Sequence, residues 1–315
     1  MLGNPRAPHL KPLDTLRTLV DLEIGVDLEW AKQQAPVADA IFVANFAPEP
    51  FDTIFPLAGK ARWVHSLSAG VDYLLTPEFV ASPVPLTNGR GAFKESLAEY
   101  AITAMLFFAK DLRRLLRNQQ AHRWEQFDMR MLRGQTLGIV GYGEIGSATA
   151  QLAASLGMRV LAVRRRPALS DADPKLAASY APDRLREMLA ECDFVLVAAA
   201  LTPETRGWIG AQELAAMKPT AVIMNVGRGP IIVESALIQA LENGQIRGAA
   251  LDVFDREPLP AEHPFYRMEN VLLSPHCADH IPGWLELAVD VFLDNTRRFV
   301  QGEPLRNIVD KIAGY

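Results

Sequence analysis

The chain has 315 residues, of which 49% are hydrophobic and 22% are charged, and its formal net charge is −5. This length and apolar content predict about two globular domains, and the acidic balance argues against a protein that binds nucleic acids or anionic membranes. Two cysteines are too few for a disulfide framework. The sequence shows neither a secretory signal nor an apolar run long enough to span a membrane, so we expect a cytoplasmic protein.

The first third of the chain carries short apolar runs separated by Pro, Gly and charged residues. These runs, at residues 40–45, 61–67 and 84–87, predict short parallel strands that alternate with helices. Residues 96–117 predict one long helix that is apolar on nearly every side. Such a helix should be buried, either between domains or against another subunit.

Residues 135–280 predict a larger doubly wound region, because continuously apolar runs alternate with helical segments. The predicted strands are 136–140, 159–163, 194–198, 221–225, 248–251 and 271–274. Right-handed crossovers should join them into a parallel sheet with helices on both faces. An amphipathic helix over 282–300 follows, so the expected fold class is α/β.

A glycine turn directly follows the strand predicted over 136–140. Strand, G-x-G-x-x-G and then a helix, here predicted over 147–156, is the context in which this pattern binds a dinucleotide. The first glycine permits a tight turn, the second lets backbone N–H groups approach a pyrophosphate, and the third lets the helix pack closely on the sheet. The predicted cofactor contacts in this turn are Gly141, Gly143, Glu144, Ile145 and Gly146.

Three arginines, Arg164, Arg165 and Arg166, end the next predicted strand, and no acidic residue follows before Asp171. An NAD site uses a carboxylate near this position for the ribose hydroxyls, whereas arginine pairs with a 2′-phosphate. We therefore predict a preference for NADP(H), with NAD as the weaker cofactor. Arg164 and Arg165 would bind the phosphate and Arg166 would cover the adenine. The alternative is three solvated arginines at a strand end.

Polar residues follow three other predicted strands, where ligands of a parallel sheet bind. They are Arg228, which lies between two glycines, Glu257 and His276. Each residue alone fits a structural role: a surface salt bridge, a solvated loop carboxylate or a buried histidine. Because all three are predicted at the same sheet edge, we interpret them as an active site without a metal.

Several motifs in this order resemble the D-isomer-specific 2-hydroxyacid dehydrogenases. They are the glycine turn, MNVGRG at 224–229, ALDVFDREPLP at 250–260 and LLSPH at 272–276. SLSAGVDYL at 66–74, LTNGRGAFKESLAEYAI at 86–102, LTPETRGWIG at 201–210 and NIVDKIAGY at 307–315 extend the resemblance over most of the chain. It implies a Rossmann-type nucleotide domain of residues 96–283 inserted into a flavodoxin-like substrate domain of residues 1–95 and 284–315. It also implies a homodimer supported by the helix over 96–117.

The resemblance assigns chemistry to the strand-end residues. Arg228 would bind the substrate carboxylate and 2-oxo oxygen. His276 would be the acid in reduction and the base in oxidation, and Glu257 would orient it and raise its pKa. Asp252 would contact the nicotinamide carboxamide. The remaining implied contacts are Val226 and Ala278 for the cofactor and the backbone of Ser68, Ala69, Gly70 and Val71 for the substrate carboxylate.

Two departures from the family pattern leave questions open. Members often have glycine where this chain has Asp279, followed here by His280, and these side chains fit either a substrate contact or a local cap. Members also often have proline at the position of Ala200, which puts cofactor contacts there in doubt.

The expected activity is NADPH-dependent reduction of a small 2-oxo acid, with glyoxylate and hydroxypyruvate as first candidates. One alternative is a non-catalytic, nucleotide-sensing protein, because the same family contains corepressors. Another is a different substrate of the same chemistry: a bulkier oxo acid, formate or phosphite. Candidate pocket residues for such a substrate are Phe93, Trp124, His280 and Trp284.

Overall fold

The structure, a computed structural model, describes residues 6–25, 27–44, 49–170 and 172–315. Its strands are β1 (Ala40–Val43), β2 (Trp63–Ser66), β3 (Leu86–Asn88), β4 (Thr136–Val140), β5 (Arg159–Val163), β6 (Ala178–Tyr180), β7 (Phe194–Val197), β8 (Val222–Asn225), β9 (Gly248–Leu251) and β10 (Val271–Leu273). Its α-helices are α1 (Leu28–Gln34), α2 (Glu49–Ile54), α3 (Pro77–Ala81), α4 (Lys94–Ala109), α5 (Leu112–Gln120), α6 (Glu144–Ser155), α7 (Leu185–Glu191), α8 (Ala211–Ala216), α9 (Glu234–Glu242) and α10 (Trp284–Gln301).

The chain divides into two compact units. The first comprises Met1–Phe93 and Ile281–Tyr315, and the second comprises Lys94–His280. Each unit contains its own parallel sheet with flanking helices, so the predicted α/β class with two domains is confirmed. No helix in the described part of the chain is both long and apolar enough to cross a bilayer.

The sheet of the first unit has three parallel strands in the order β1-β2-β3 within the described residues. On one face, Trp63 and His65 pack against Phe292 of α10. On the other face, Val64 packs with Phe79 of α3. Helices therefore cover both faces, although the sheet is smaller than the flavodoxin-like arrangement expected. The last residue of the first predicted strand, 45, lies outside the described residues.

The sheet of the second unit has seven parallel strands in the order β10-β9-β8-β7-β4-β5-β6. Strand order reverses beside β4, which carries the glycine turn, and this reversal opens a crevice at the carboxyl ends of the strands. The predicted bounds of β4, β5 and β9 agree with the structure, because these runs are apolar except for Thr136 and Arg159 at the strand starts. β6 was not predicted, because Ala-Ser-Tyr is a short edge strand without an apolar run.

The single helix predicted over 96–117 is wrong. The structure has two helices, α4 and α5, and the chain turns between them at Asp111, whose φ of 49° lies in the left-handed region. α4 is not apolar all round either, because Glu95, Glu99 and Thr103 form an exposed stripe at four-residue spacing. The buried residues of α4 lie on the remaining faces, and α4 packs against α6.

Two other helices begin at residues different from those predicted. α6 begins at Glu144, three residues before the predicted start at 147, because the third glycine of the turn already lies inside the helix. α10 begins at Trp284, two residues later than predicted, because Gly283 has a φ of 81° and cannot belong to the first helical turn.

Candidate active site

Arg228, Glu257 and His276 come together at the carboxyl edge of the second sheet, because β8, β9 and β10 are neighbours there. His276 Nδ1 lies 2.6 Å from Glu257 Oε2. The positive charge of Arg228 acts on both groups, lowering the pKa of each. The side chain of His276 is 45% exposed, so the imidazole remains accessible on the edge of the sheet.

The backbone around Arg228 requires its two flanking glycines. A Cβ on Gly229 would lie 2.0 Å from the carbonyl carbon of Phe254, and a Cβ on Gly227 would lie 2.8 Å from Ala199 O. Asn225 fixes the loop further, since its amide donates to Arg228 O at 3.0 Å and its Oδ1 accepts from Gly227 N at 3.0 Å. The sequence analysis did not identify Asn225, although a polar residue at the end of an apolar strand was the available signal.

Asp252 organises the loop that carries His276. Its side chain is buried, and Oδ1 accepts from Ser274 Oγ at 2.6 Å, Cys277 N at 3.0 Å and Ala278 N at 3.1 Å. The backbone carbonyl of Asp252 accepts from His276 N at 2.9 Å. These bonds hold His276 at a φ of 52°, which a non-glycine residue rarely adopts. The structure thus gives Asp252 a positioning role that the sequence analysis missed.

The contact between Glu257 and His276 favours the charged form of both groups. The hydrogen bond and charge of Glu257 raise the pKa of His276 above 6.5, although burial acts in the opposite direction. Burial raises the pKa of Glu257, but hydrogen bonds from His276 and from the Phe254 N–H, at 2.9 Å, leave it below its ordinary value. The contact therefore favours the protonated imidazole, the form that a general acid requires.

Asp279 and His280 pair with each other beside His276. His280 Nε2 lies 3.7 Å from Asp279 Oδ1, and His280 N donates to Cys277 O at 3.0 Å. Burial raises the pKa of Asp279, while the charges of His280 and His276 oppose that shift.

The glycine turn is crowded at its first and third glycines and open at its second. Gly141 has a φ of 96°, and a Cβ there would lie 2.5 Å from Ala199. A Cβ on Gly146 would lie 2.8 Å from Gly141 O, whereas a Cβ on Gly143 would meet no atom of the described chain within 4 Å. Space thus lies next to the start of α6, whose first turn includes Glu144 and Ile145 and presents backbone N–H donors. Val226, another predicted cofactor contact, is buried and donates from its N–H to Val197 O at 3.1 Å.

The arginines after β5 lie among carboxylates that the sequence analysis did not identify. The Arg164 guanidinium lies 6.0 Å from the ring centroid of Tyr142, whose hydroxyl donates to Asp173 Oδ2 at 2.8 Å. Lys175 pairs with the other oxygen of Asp173 at 2.8 Å. The hydrogen bond from Thr202 chiefly, and the charge of Arg165 to a smaller extent, lower the pKa of Glu204, and Arg166 is exposed. Asp171 lies outside the described residues.

The predicted substrate loop, 68–71, follows β2 in the first unit. Its successive carbonyl groups have partners within that unit: Ser68 O accepts from Gly89 N at 3.1 Å, Ala69 O from Asn88 Nδ2 at 2.6 Å, and Gly70 O from Ser68 Oγ at 2.6 Å. In a trans peptide the N–H of the next residue points away from the carbonyl. The N–H groups of residues 69–71 therefore point away from these three partners.

Comparison with known proteins decides the family. The family model described as "D-isomer specific 2-hydroxyacid dehydrogenase, NAD binding domain" matches residues 102–278, more than half of the chain. A glyoxylate reductase of Korarchaeum cryptofilum is 33% identical over 94% of this chain and 93% of its own length. A hydroxypyruvate reductase of Blautia hydrogenotrophica is 29% identical over 98% of this chain and 97% of its own.

The chain belongs to the D-isomer-specific 2-hydroxyacid dehydrogenase family. Among solved members, a glyoxylate/hydroxypyruvate reductase from Sinorhizobium meliloti, described as NADPH-dependent and in complex with NADP and sulfate, superposes with a TM-score of 0.82. The two sequences are 29% identical, and the match covers 96% of this chain and 95% of that one. The protein is therefore a reductase of 2-oxo acids that uses a nicotinamide cofactor.

The four residues suggested as a pocket are divided between the two units, Phe93 and Trp284 in the first and Trp124 and His280 in the second. Trp124 is 94% exposed on the second unit. Phe93 and Trp284 belong to the first unit, where their ring centroids lie 6.0 Å apart and the two side chains pack against each other.

Proposed function

We propose that the chain reduces small 2-oxo acids to D-2-hydroxy acids with NADPH, and that glyoxylate and hydroxypyruvate are its first candidate substrates. The observation that carries this proposal is the 2.6 Å contact between His276 Nδ1 and Glu257 Oε2 at the sheet edge that also presents Arg228. The glyoxylate and hydroxypyruvate reductases similar to this chain support the choice of substrate.

Each residue of this edge has one task in the proposed reaction. Arg228 binds the substrate carboxylate and polarises the 2-oxo oxygen, because its guanidinium stays charged and offers several donors. His276 transfers its proton to that oxygen as the hydroxyl forms, and Glu257 keeps the imidazole charged until then. The nicotinamide supplies the hydride when it is bound.

The loop at residues 68–71 is proposed to bind the substrate carboxylate through its backbone. Three bonded carbonyl groups fix the peptide planes, and the N–H groups of Ala69, Gly70 and Val71 point away from those partners. The Ser68 hydroxyl donates to Gly70 O and contacts Tyr73 OH at 3.2 Å, so its role is to shape the loop. Successive N–H donors of this kind suit an anion.

NADPH is the proposed cofactor because Arg164, Arg165 and Arg166 offer several positive charges at the end of β5. The nearby carboxylate of Asp173 already accepts hydrogen bonds from Tyr142 and pairs with Lys175, which reduces its repulsion of a 2′-phosphate. Similar proteins of known structure contain NADP or NADPH, which supports the same choice. The residues proposed to hold the pyrophosphate are those of the glycine turn, and Val226, Asp252 and Ala278 are proposed for the nicotinamide side.

A homodimer is proposed from an exposed apolar patch on the second unit. The patch consists of Leu115, Leu116, Trp124, Met129 and Met131. Glu125 ties this segment to α5, because it accepts from Arg114 at 2.5 Å and from Asn118 at 3.1 Å. Several large apolar side chains held in place on a surface favour a protein partner.

Both cysteines are free thiols, which supports the proposal of a reducing compartment such as the cytoplasm.

The test is a steady-state assay of a panel of 2-oxo acids with NADPH and with NADH. We expect turnover of glyoxylate or hydroxypyruvate, with a higher kcat/KM for NADPH. The His276→Gln variant should lose about 100-fold or more in kcat while its cofactor affinity stays the same, since general acid catalysis contributes about 10² to 10⁴. Turnover of none of these acids would contradict the function, and a preference for NADH would contradict the cofactor.

A further inference from the structure

Three hydroxyl groups meet beside the loop at residues 68–71. Ser66 Oγ lies 3.0 Å from both Ser68 Oγ and Tyr73 OH, and Ser68 Oγ lies 3.2 Å from Tyr73 OH. Ser66 is the last residue of β2, Ser68 belongs to the loop, and Tyr73 lies in the short 3-10 helix Asp72–Leu74 that follows the loop. This hydroxyl cluster therefore joins the loop to the elements on both sides of it.

The carbonyl group of Gly70 is held from within the loop, unlike those of the two residues before it. Ser68 O and Ala69 O accept from Gly89 N and Asn88 Nδ2, which lie at the end of β3. Gly70 O instead accepts from Ser68 Oγ at 2.6 Å, and Ser68 is itself a loop residue. Because glycine has the greatest backbone freedom, the peptide after Gly70 depends on how firmly the Ser68 hydroxyl is fixed.

The number of hydroxyl protons decides how the cluster fixes Ser68. Ser68 has a single hydroxyl proton and donates it to Gly70 O, so it can only accept in its contacts with Ser66 and Tyr73. A hydroxyl that accepts a hydrogen bond becomes a stronger donor, because bonds in a chain polarise one another. The Tyr73 hydroxyl thus strengthens the bond to Gly70 O, whether it donates to Ser68 directly or by way of Ser66.

The ring of Tyr73 supplies the anchor outside the loop. It packs against a cluster of buried apolar side chains that includes Val64, Leu74 and Phe79. A side chain locked by packing of this kind holds its polar end in one place. The position of the Tyr73 hydroxyl is therefore set by the core of the first unit.

We propose that Tyr73 is a positioning residue for the substrate: through Ser68 it holds the peptide after Gly70, and with it the loop whose N–H groups bind the carboxylate of the 2-oxo acid. The inference rests on the proposed function. The carboxylate keeps its charge throughout the reaction, so the loop binds the ground state and the transition state alike. Tyr73 should therefore act on KM for the 2-oxo acid and leave kcat unchanged.

Steady-state kinetics of Tyr73→Phe tests this role, because the variant keeps the ring and removes the hydroxyl. KM for glyoxylate or hydroxypyruvate, whichever the wild type reduces faster, should rise about two- to tenfold, the range for one hydrogen bond. Both kcat and the KM for the cofactor should stay unchanged. The inhibition constant of oxalate, a carboxylate that accepts no hydride, should rise by the same factor as KM.

Tyr180→Phe is the matched control. Its hydroxyl donates to Glu191 at 2.7 Å in the second unit, so its loss should alter neither KM for the 2-oxo acid nor inhibition by oxalate. Thermal unfolding of both variants separates positioning from stability. A lower midpoint in Tyr73→Phe with an unchanged KM would overturn the inference, because the hydroxyl would then only stabilise the fold.

A double-variant cycle tests whether Tyr73 acts through Ser68. Ser68→Ala should also raise KM for the 2-oxo acid, and Tyr73→Phe added to it should raise KM little further, because the route to Gly70 O is already broken. Independent effects that multiply, or a fall in kcat alone, would overturn the inference and leave the proposed function intact. A wild-type protein that reduced none of the 2-oxo acids would refute the proposed function itself, and the inference with it.

Discussion

At the residue scale, the pH dependence of catalysis follows from the Glu257–His276 contact. In the proposed reaction, reduction needs a protonated His276, whose pKa is raised above 6.5 chiefly by its hydrogen bond to Glu257. The rate of reduction should therefore be full below that pKa and fall as the pH rises through it. In Glu257→Gln the favourable charge is lost while burial still lowers the pKa, so the falling limb of kcat/KM should move to lower pH.

A pH series of kcat/KM on both sides of 6.5 checks this shift. Glu234→Gln is the control, because Glu234 forms a similar pair with His263 at 3.1 Å, outside the proposed site. If the falling limb of the kcat/KM profile moves equally in both variants, or in neither, Glu257 does not set the pKa of the catalytic group as proposed.

At the element scale, the end of the chain stabilises α3. Lys311 Nζ donates to Phe79 O at 2.7 Å, Ser82 O at 2.6 Å and Val84 O at 2.9 Å. These carbonyl groups lie at or just beyond the C-terminus of α3, where carbonyls need partners and a cation is favourable. Burial lowers the pKa of Lys311, yet the contacts suit its charged form.

Lys311→Met should lower the free energy of unfolding by about 1.5–3 kcal/mol, the range for hydrogen bonds to a charged group. Urea denaturation measures the change. The control is Lys32→Met, which breaks an exposed pair with Glu29 and should cost less than about 0.5 kcal/mol. Equal losses in the two variants would show that Lys311 acts as an ordinary surface charge.

Elements with a strong local signal were predictable from the sequence, and those that depend on distant contacts were not. The apolar runs of β8, β9 and β10 were recognisable in the sequence, and the rule for strand ends then led to Arg228, Glu257 and His276. The turn at Asp111 depends on a single left-handed residue within a helical pattern. The hydrogen bond between Tyr142 and Asp173 joins residues 31 positions apart, and no local pattern marks it. The same holds for the bonds of Asp252 that hold the catalytic loop.

At the scale of the whole molecule, the exposed apolar patch around Trp124 predicts self-association. Trp124→Asp should convert a dimer into a monomer, because a charge in the centre of an apolar interface loses burial and gains desolvation cost. Size-exclusion chromatography with light scattering measures the mass. Ile312→Asp is the control, since Ile312 is 90% exposed but lies in the first unit. A monomeric wild-type protein would refute the dimer.

The route of the chain through its two units also has a consequence for the order of events during synthesis. β1, β2 and β3 leave the ribosome early, but α10, which covers one face of their sheet, and Ile308, which bridges to Thr87, come from the last residues. The intervening 94–280 segment is continuous and contains its own core, so it can fold as soon as it emerges. One apolar face of the first unit's sheet must stay uncovered until α10 has been synthesised. During this interval the nascent chain is most exposed to aggregation, and a chaperone has most to protect.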